Sequence, residues 1–261
     1  MDVNRKDKIT ELTDAVVVAA HVAASAPRRT IWWRGHARLE WQLVPEVWRG
    51  PQGYDPTWEQ DAALRFRAHA GTRHAHCPPV SDTPSWLFLM RHYGGPTRLL
   101  DWSLSPLVAL FFATETDDSV NGTLWGLSPG GLNKAQVGDM GLFVPHTKKL
   151  QPFFNAAFGD APGPSPEKII AIAPHETDVR MLVQQSVFTI HGTSRDLATL
   201  EEASTFLWRC DVDASAKDLI RRELDLLGID RFRLFPDLST LGREVGRIQA
   251  ENRPDPPQAK K

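Results

Sequence analysis

Residues 90–113 read MRHYGGPTRLLDWSLSPLVALFFA, and this stretch joins two predicted helices. An apolar helix over 85–92 ends at Gly94 and Gly95. After a compact polar set, Ser105 and Pro106 begin a second helix, because serine caps helix N-termini and proline is favoured at the first helical position. This second helix is apolar on every side, so we predict that it is buried.

The polar set between these helices has two explanations, and both can hold at once. Buried polar groups must be hydrogen-bonded. In the first explanation the set is a structural network, in which Asp101 accepts hydrogen bonds from Thr97 and from backbone amides. In the second it is the floor of a pocket, with its polar groups directed at a ligand.

A second informative stretch is TIWWRG, residues 30–35, which we predict to be a strand that ends at an exposed turn. Beside Gly35, where a backbone can approach closely, the fork of Arg34 can bind a phosphate. The alternative is that Arg34 stacks on a tryptophan and pairs with a surface carboxylate. If Arg34 binds a phosphate of a ligand, Arg34 and residues 92–102 line one cleft, although they are far apart in sequence.

The rest of the pattern predicts one α+β domain with N-terminal helices packed on a mixed β-sheet. Further helices are expected over 10–24 (capped by Thr10 or Thr13 and closed by Pro27), 56–72 (capped by Thr57), 218–227 and 238–250, and strands over 123–127, 168–173, 186–191 and 206–212. Residues 130–166 are rich in Gly, Pro and Asn and are expected to form a long, partly mobile excursion. The domain is expected to span 14–250, between an N-terminal extension (1–13) and a disordered tail (251–261).

Composition limits the classes of function. Lys and Arg total 30 and Asp and Glu total 32, so the net charge of −2 excludes binding of nucleic acid by bulk charge alone, although a local basic site is still allowed. The charged N-terminus has no apolar signal region, and residues 106–113 are too short an apolar run to cross a bilayer. We therefore expect a cytoplasmic protein with no membrane partner.

Cysteine and histidine usage predicts neither a disulfide framework nor a metal site. Cys77 and Cys210 are too few for such a framework. His69, His74 and His76 lie in a loop-like stretch without the carboxylates or cysteines of a ligand set, so no metal is expected.

The quoted motifs together resemble the FRG domain, which is named for its Phe/Tyr-Arg-Gly motif. They are Arg34-Gly35 after an aromatic residue, the Trp-Leu-Pro-Arg run at 41–49, HYGGPTRLLDW at 92–102, SPLVALFFA at 105–113, Arg180-x-x-x-Gln184 before Phe188, and LGID…LFPDLSTL at 227–241. The resemblance covers about residues 14–250. The chain departs from the family pattern at Trp33 (Phe or Tyr), Arg91 (Gln) and Ser186 (Gly).

The FRG pattern is in turn remotely similar to that of ADP-ribosyltransferases. Those enzymes carry an Arg on a first strand, a Ser/Thr-bearing strand that runs into a helix ending A-x-x-F-A, and a Glu or Gln on a later strand. The resemblance implies an ADP-ribosyltransferase-like fold with NAD as substrate, and it matches Arg34, Thr97 and Gln184 to these positions. The roles that it implies are catalytic for Gln184, His92 and Asp101, and cofactor-binding for Arg34, Gly35, Tyr93, Thr97, Arg98 and Trp102. Gln184 cannot act as a base, so either Asp101 or His92 takes the acceptor's proton or the acceptor needs no base.

Two functions follow from this resemblance. The first is an NAD-dependent ADP-ribosyltransferase of a macromolecular acceptor such as a nucleobase, in a toxin or anti-phage effector with an antitoxin as partner. The acceptor can be DNA, RNA or protein, and single-stranded nucleic acid is one candidate partner, because the chain has 21 Arg against 9 Lys and because Trp41 and Trp48, if exposed, can stack a flipped or single-stranded base. Base composition of the coding genome explains the arginines equally well. The second function is a non-catalytic nucleotide- or partner-binding module. The chain has Gln184 where an acidic residue could act as a base, and this favours the second function.

Overall fold

The structure, a computed structural model, describes residues 8–26, 30–49, 55–158, 164–174 and 178–251. The strands are β1 (Lys8–Ile9), β2 (Trp32–His36), β3 (Leu99–Ser103), β4 (Gly122–Leu127), β5 (Ile169–Ile172), β6 (Ser186–His191) and β7 (Leu207–Val212). The α-helices are α1 (Leu12–Ser25), α2 (Pro56–Ala70), α3 (Thr83–His92), α4 (Pro106–Thr114), α5 (Pro129–Val137), α6 (Gln151–Phe158), α7 (Val179–Val183), α8 (Lys217–Leu226), α9 (Arg231–Leu234) and α10 (Leu238–Glu251). Pro27 and the expected tail beyond residue 251 lie outside the described residues.

The strands form one mixed sheet in the order β1-β7-β4-β2-β3-β6-β5. β1 runs parallel to β7, and the other neighbours are antiparallel. At the centre of the sheet, β2 and β3 are joined only by the pair Trp33 and Ser103, whereas β2 pairs with β4 along its whole length. The sheet is therefore split beyond Trp33 and Ser103.

Helices cover one face of both halves of this sheet, as the sequence predicts for the N-terminal helices. Because side chains alternate across a strand, Trp33 lies on the face where α1, α4 and α8 pack over β2, β4 and β7. Leu99 and Phe188 lie on the same face of the other half, under α2, α3 and α6. On the opposite face, Trp32 and Trp102 pack with α5 and with residues 197–206. The α+β class with a mixed sheet is confirmed.

The buried helix α4 is also confirmed. The Ser105 side chain accepts a hydrogen bond from the Val108 amide at 3.3 Å, and Pro106 is the first helical residue. Leu110 is completely buried. α4 lies so close to β2 that a Cβ at Gly35 would be 1.8 Å from the Ala109 carbonyl oxygen, so glycine is required at this contact.

The predicted long, partly mobile excursion over residues 130–166 is wrong where α5 and α6 occupy it, and residues 159–163 lie outside the described residues. Ser128 caps α5 by accepting from the Gly131 amide, and the Asn133 side chain on that helix binds both the N–H and the C=O of Ala171 in β5. Phe153 of α6 is buried in the core. Gly and Pro suggested a loop here, but Pro129 occupies the first position of a helix, where proline is favoured.

Smaller corrections concern strand β3 and the helix caps. Residues 99–103 belong to the polar set for which no strand was predicted from the residues, and they form strand β3, which pairs with β6. The cap of α2 is Asp55 rather than Thr57, and Glu11, without a side-chain cap, precedes α1 in place of Thr10 or Thr13. Helix α3 begins at Thr83, two residues before the predicted start, and Asp82 caps it. No helix in the described part of the chain has the length and apolar character that crossing a bilayer requires.

Candidate functional site

The split between β2 and β3 opens into a pocket of about 370 Å³. Residues of both strands line it, together with the C-terminal part of α3, with Val108, Ala109 and Phe112 of α4, and with α7. Its volume lies within the range of sites for small ligands, which is about 300–1,000 Å³.

Six of the predicted site residues line this pocket: Arg34, Gly35, His92, Asp101, Trp102 and Gln184. The prediction that Arg34 and residues 92–102 share one cleft is therefore confirmed for His92, Asp101 and Trp102. The split in the sheet brings them together, because it places the end of β2 opposite the middle of β3.

Arg34 is held across the split by two hydrogen bonds. Its Nη1 donates to the backbone carbonyl of Asp101 at 2.6 Å, and its Nε donates to Nε2 of His36 at 2.9 Å. Burial, together with the charges of Arg49 and Arg91, lowers the pKa of Arg34 to about 9 despite the attraction of Asp101. Within the described part of the chain, Nη2 of Arg34 has no hydrogen-bond partner, so it can serve a ligand.

Asp101 is the partner of Arg91, which is one of the three residues that depart from the family pattern. Its carboxylate accepts from Nε of Arg91 at 2.9 Å, and Nη2 of Arg91 lies 2.7 Å away. Burial raises the pKa of Asp101, but the charges of Arg91 and Arg34 outweigh burial and keep that pKa below its ordinary value. Asp101 is thus an anion at neutral pH and a poor proton acceptor.

His92 is better suited to accept a proton. Its Nε2 lies 3.3 Å from Oδ1 of Asp178, and its backbone carbonyl accepts from Nη1 of Arg180 at 3.1 Å. Burial lowers the pKa of His92 below its ordinary value of 6.5, so the ring is neutral at neutral pH. With a proton on Nε2 facing Asp178, the lone pair of Nδ1 is available.

Gln184 lies at the C-terminal end of α7, two residues before β6, and not on the strand itself as the resemblance implies. Its Nε2 donates to the carbonyl of Leu234 at 2.9 Å, and its backbone carbonyl accepts from the Ser103 hydroxyl at 2.7 Å. These bonds hold the side-chain amide at the pocket wall.

Three predicted residues do not line the pocket. Arg98 is fully buried and forms an ion pair with Glu59 of α2, and Thr97, also fully buried, accepts from the amide of Leu99. Both side chains are committed to the core. Tyr93 is 56% exposed, with its ring against that of His92. Trp102 reaches the pocket, but its indole N–H donates to Thr189 on the opposite face of the sheet.

Sequence reasoning gave no role to Arg180, which lines the pocket beside Gln184. Its guanidinium lies 4.5 Å from the centre of the Phe235 ring, and burial lowers its pKa. A signal was present, because Gln184 follows Arg180 by four positions and this spacing places both on one face of a helix.

The pocket carries an excess of positive charge. Arg34, Arg49, Arg91 and Arg180 line it, against the carboxylates of Asp101 and Glu115. Glu115 is paired with Arg231, outside the pocket lining. Burial lowers the pKa of Arg49 as it does for Arg34 and Arg180, which means that these charges are incompletely compensated. An anionic ligand would compensate them.

No group of three or more His, Cys, Asp or Glu side chains is arranged to hold a metal ion within the residues that the structure describes. No curated protein and no solved structure matches the chain.

The family model of the FRG domain matches residues 29–122. The matched segment runs from the residues before β2 to the first residue of β4 and contains Arg34, His92 and Asp101, whereas Arg180 and Gln184 lie beyond it. By this match, residues 29–122 are similar to the FRG domain, as the sequence motifs in this segment predict.

Proposed function

We propose that this protein is an NAD-dependent ADP-ribosyltransferase that binds NAD in the pocket between β2 and β3. The observation that carries the proposal is the group of Arg34, Arg49 and Arg180, whose charges are only partly compensated in a pocket of ligand size. Guanidinium groups bind phosphate oxygens in pairs, and the pyrophosphate of NAD offers adjacent phosphates.

The order of the site residues supports the same proposal. Arg34 lies on β2, β3 runs into α4 with its Ala109–Ala113 ending, and Gln184 precedes β6. This is the order that the ADP-ribosyltransferase pattern implies, and we propose an ADP-ribosyltransferase-like fold on this basis. The hydroxyl on the second of these strands is that of Ser103, since Thr97 is buried before the strand begins.

The proposed reaction transfers ADP-ribose from nicotinamide to an acceptor. The bond between ribose C1′ and the nicotinamide nitrogen breaks, its electron pair leaves with nicotinamide, and C1′ passes through an oxocarbenium-like state. A lone pair of the acceptor forms the new bond to C1′, and the acceptor loses a proton. Neutral His92 takes this proton, because Asp101 is already paired with Arg91. Gln184 orients the reacting ribose.

We place the acceptor among macromolecules, with a nucleobase in DNA or RNA first. Trp41 lines the pocket and is 46% exposed, so it can stack a base at the entrance. We propose that the enzyme, which would consume NAD to modify nucleic acid, acts as a cytoplasmic toxin or anti-phage effector and is inhibited by an antitoxin.

The test is to incubate the purified protein with NAD, to measure free nicotinamide, and to search DNA, RNA and protein by mass spectrometry for added ADP-ribose. His92→Gln should lower turnover more than NAD affinity, because the proton moves only when the bond forms. The matched control is His69→Gln, at an exposed position outside the pocket lining. If the wild type does not bind NAD, the proposal fails.

A non-catalytic nucleotide-binding module is the second candidate, and one observation favours it. The pocket carboxylates are paired with arginines, and the Gln184 amide donates to Leu234. Calorimetry for NAD binding and a measurement of free nicotinamide together separate the two functions. If the protein binds NAD but releases no nicotinamide in the presence of DNA, RNA and protein, it is a non-catalytic binding module.

A further inference from the structure

The segment between Asp61 and Asp82 is basic in a chain whose net charge is slightly negative. Residues 62–81 contain no Asp or Glu, but they carry three arginines and three histidines: Arg65, Arg67, His69, Arg73, His74 and His76. The segment covers the C-terminal half of α2 and the loop that leads to α3.

Two of these arginines interact only with neutral groups among the described residues. Nη1 of Arg73 donates to the carbonyl of His69 at 2.9 Å and to the hydroxyl of Thr72 at 3.0 Å. Nη1 of Arg67 donates to the carbonyl of Val80 at 3.4 Å. Their charges therefore face solvent without a carboxylate partner.

A row of rings connects this segment to the pocket. The ring centres of His76 and His74 are 6.4 Å apart, those of His74 and Tyr93 are 5.7 Å apart, and those of Tyr93 and His92 are 4.7 Å apart. His92 lines the pocket, and the exposed Tyr93 is the largest ring of the row. The row thus leads from Arg73 and its neighbours to the proposed site of transfer.

Cations beside an exposed aromatic ring match one class of ligand. Single-stranded nucleic acid offers phosphates to arginines and unpaired bases to aromatic rings, whereas a duplex hides its base faces and an acidic peptide or heparin needs only the charge. Two carboxylates act on His92 at the pocket end of the row, those of Asp178 and Asp237. Asp178 faces His92 and caps α7, and Asp237 accepts hydrogen bonds from Thr240 at the start of α10, so both are already engaged within the protein.

We propose that Arg67, Arg73, His74, His76 and Tyr93, here called the rim surface, bind the single-stranded nucleic acid that accepts ADP-ribose. This inference rests on the proposed function and names the acceptor of the same pocket. The phosphates contact Arg67 and Arg73, one base stacks on Tyr93, and the neighbouring base reaches His92.

The test measures fluorescence anisotropy of a short labelled oligothymidine with the full-length protein. Tyr93→Ala should weaken binding about tenfold, whereas Tyr93→Phe keeps the ring and should retain most of the affinity. Arg73→Gln should reduce the slope of log K against log salt by about 0.7, the value for one phosphate contact on a single strand. The matched control is Arg222→Gln on α8, whose side chain is 71% exposed and distant in sequence from the rim surface. Circular dichroism of each variant checks that it folds.

The inference is overturned if the oligothymidine does not bind, or if a duplex and heparin compete as well as a single strand while Tyr93→Ala binds like the wild type. Nicotinamide release from NAD by the wild type without nucleic acid is measured separately. If the protein releases nicotinamide from NAD but does not bind oligothymidine, the proposal of the rim surface is overturned and the proposal of a transferase stands. Oligothymidine binding that Tyr93→Ala weakens, in a protein that does not bind NAD, supports nucleic-acid binding at the rim surface but overturns its role as the acceptor site, because the transferase is then removed.

Discussion

Nη1 of Arg34 donates a hydrogen bond to the backbone carbonyl of Asp101 across the split in the sheet, and the two residues are 67 positions apart in the chain. β2 and β3 share only one pair of residues, so this bond joins the strands where their ladder is absent. It also fixes the guanidinium at the pocket, with Nη1 4.0 Å from the Asp101 carboxylate.

Arg34→Ala should abolish NAD turnover and leave the protein folded. The side chain is largely enclosed rather than on the surface, so we expect a loss of about 1–2 kcal/mol in the free energy of unfolding, since water in the pocket can replace its bonds. Arg34→Lys should recover only part of the activity, because an ammonium cannot reproduce the guanidinium fork. Nicotinamide release, NAD calorimetry and thermal melts check this. Unchanged NAD affinity in Arg34→Ala would contradict the role of Arg34.

Gly35→Ala should destabilise the protein strongly. The new Cβ would lie 1.8 Å from the Ala109 carbonyl oxygen and 2.5 Å from the Ala113 nitrogen, so α4 must move away from β2. We expect a loss of about 3 kcal/mol or more, at the upper end for overpacking. Gly71→Ala is the matched control, because nothing lies within 4 Å of its Cβ. Urea titrations compare the two variants, and equal midpoints would refute the packing argument.

Glu59→Gln should destabilise the protein by about 3–5 kcal/mol, because it leaves the charge of Arg98 buried without its partner. The double variant Glu59→Leu with Arg98→Met should recover most of this loss, since both charges are then removed. Thermal melts measure both effects. NAD affinity of the folded double variant should match the wild type. A loss of affinity at unchanged stability would instead support the cofactor-binding role that the family resemblance implies for Arg98.

Leu110→Asp should prevent folding, because it places an unpaired charge where the side chain is completely buried. Leu110→Ala removes the same apolar side chain without a charge and should cost about 2–5 kcal/mol. Phe112→Asp should be milder, since Phe112 is only partly buried and lines the pocket. Circular dichroism and melting temperatures rank the three. Native melting of Leu110→Asp would show that α4 is not the core helix.

Stability should fall as the pH falls below about 6.5, the ordinary pKa of histidine in an unfolded chain. Burial and the charge of Arg34 lower the pKa of His36 to about 2 and that of His191 to about 3. Below pH 6.5 the unfolded chain therefore binds protons that the folded protein does not. Between pH 7 and pH 5 each histidine should cost about 2 kcal/mol. The midpoints of urea unfolding at the two pH values test this. His191→Phe should reduce the change in midpoint between pH 7 and pH 5. A pH-independent midpoint would contradict neutral, buried histidines.

Local patterns predicted the elements whose signals lie close together in sequence. Ser105, Pro106 and the apolar residues after them indicate a capped, buried helix without reference to the rest of the chain, and α4 agrees. The strand predicted over 186–191 has the bounds of β6, because alternating apolar and β-branched residues suffice to identify it. The prediction of an excursion over residues 130–166 failed because its signals are not local. Helix α5 is held by hydrogen bonds between the Asn133 side chain and Ala171 of β5, which lies 38 positions away.

Side-chain partners depended on packing between distant elements. Arg98 and Arg34 carry the same chemistry, yet Arg98 is neutralised by Glu59 on α2 while Arg34 faces the pocket. No local pattern distinguishes them, because the partner of each lies tens of residues away.

The sequence alone predicted the resemblance to the FRG domain, which the family match supports over residues 29–122, the α+β class, the buried helix α4 and the two segments, around Arg34 and across residues 92–102, that meet at one pocket. The tertiary structure alone decided which of their side chains reach that pocket. Strand alternation sends the indole of Trp102 to the opposite face, and the unpaired stretch between β2 and β3 creates the space into which Arg180 and Gln184 are brought by α7. The physical reason is that capping and periodicity act between neighbours in the chain, whereas strand register and the pairing of buried charges are set by contacts between residues that only folding brings together.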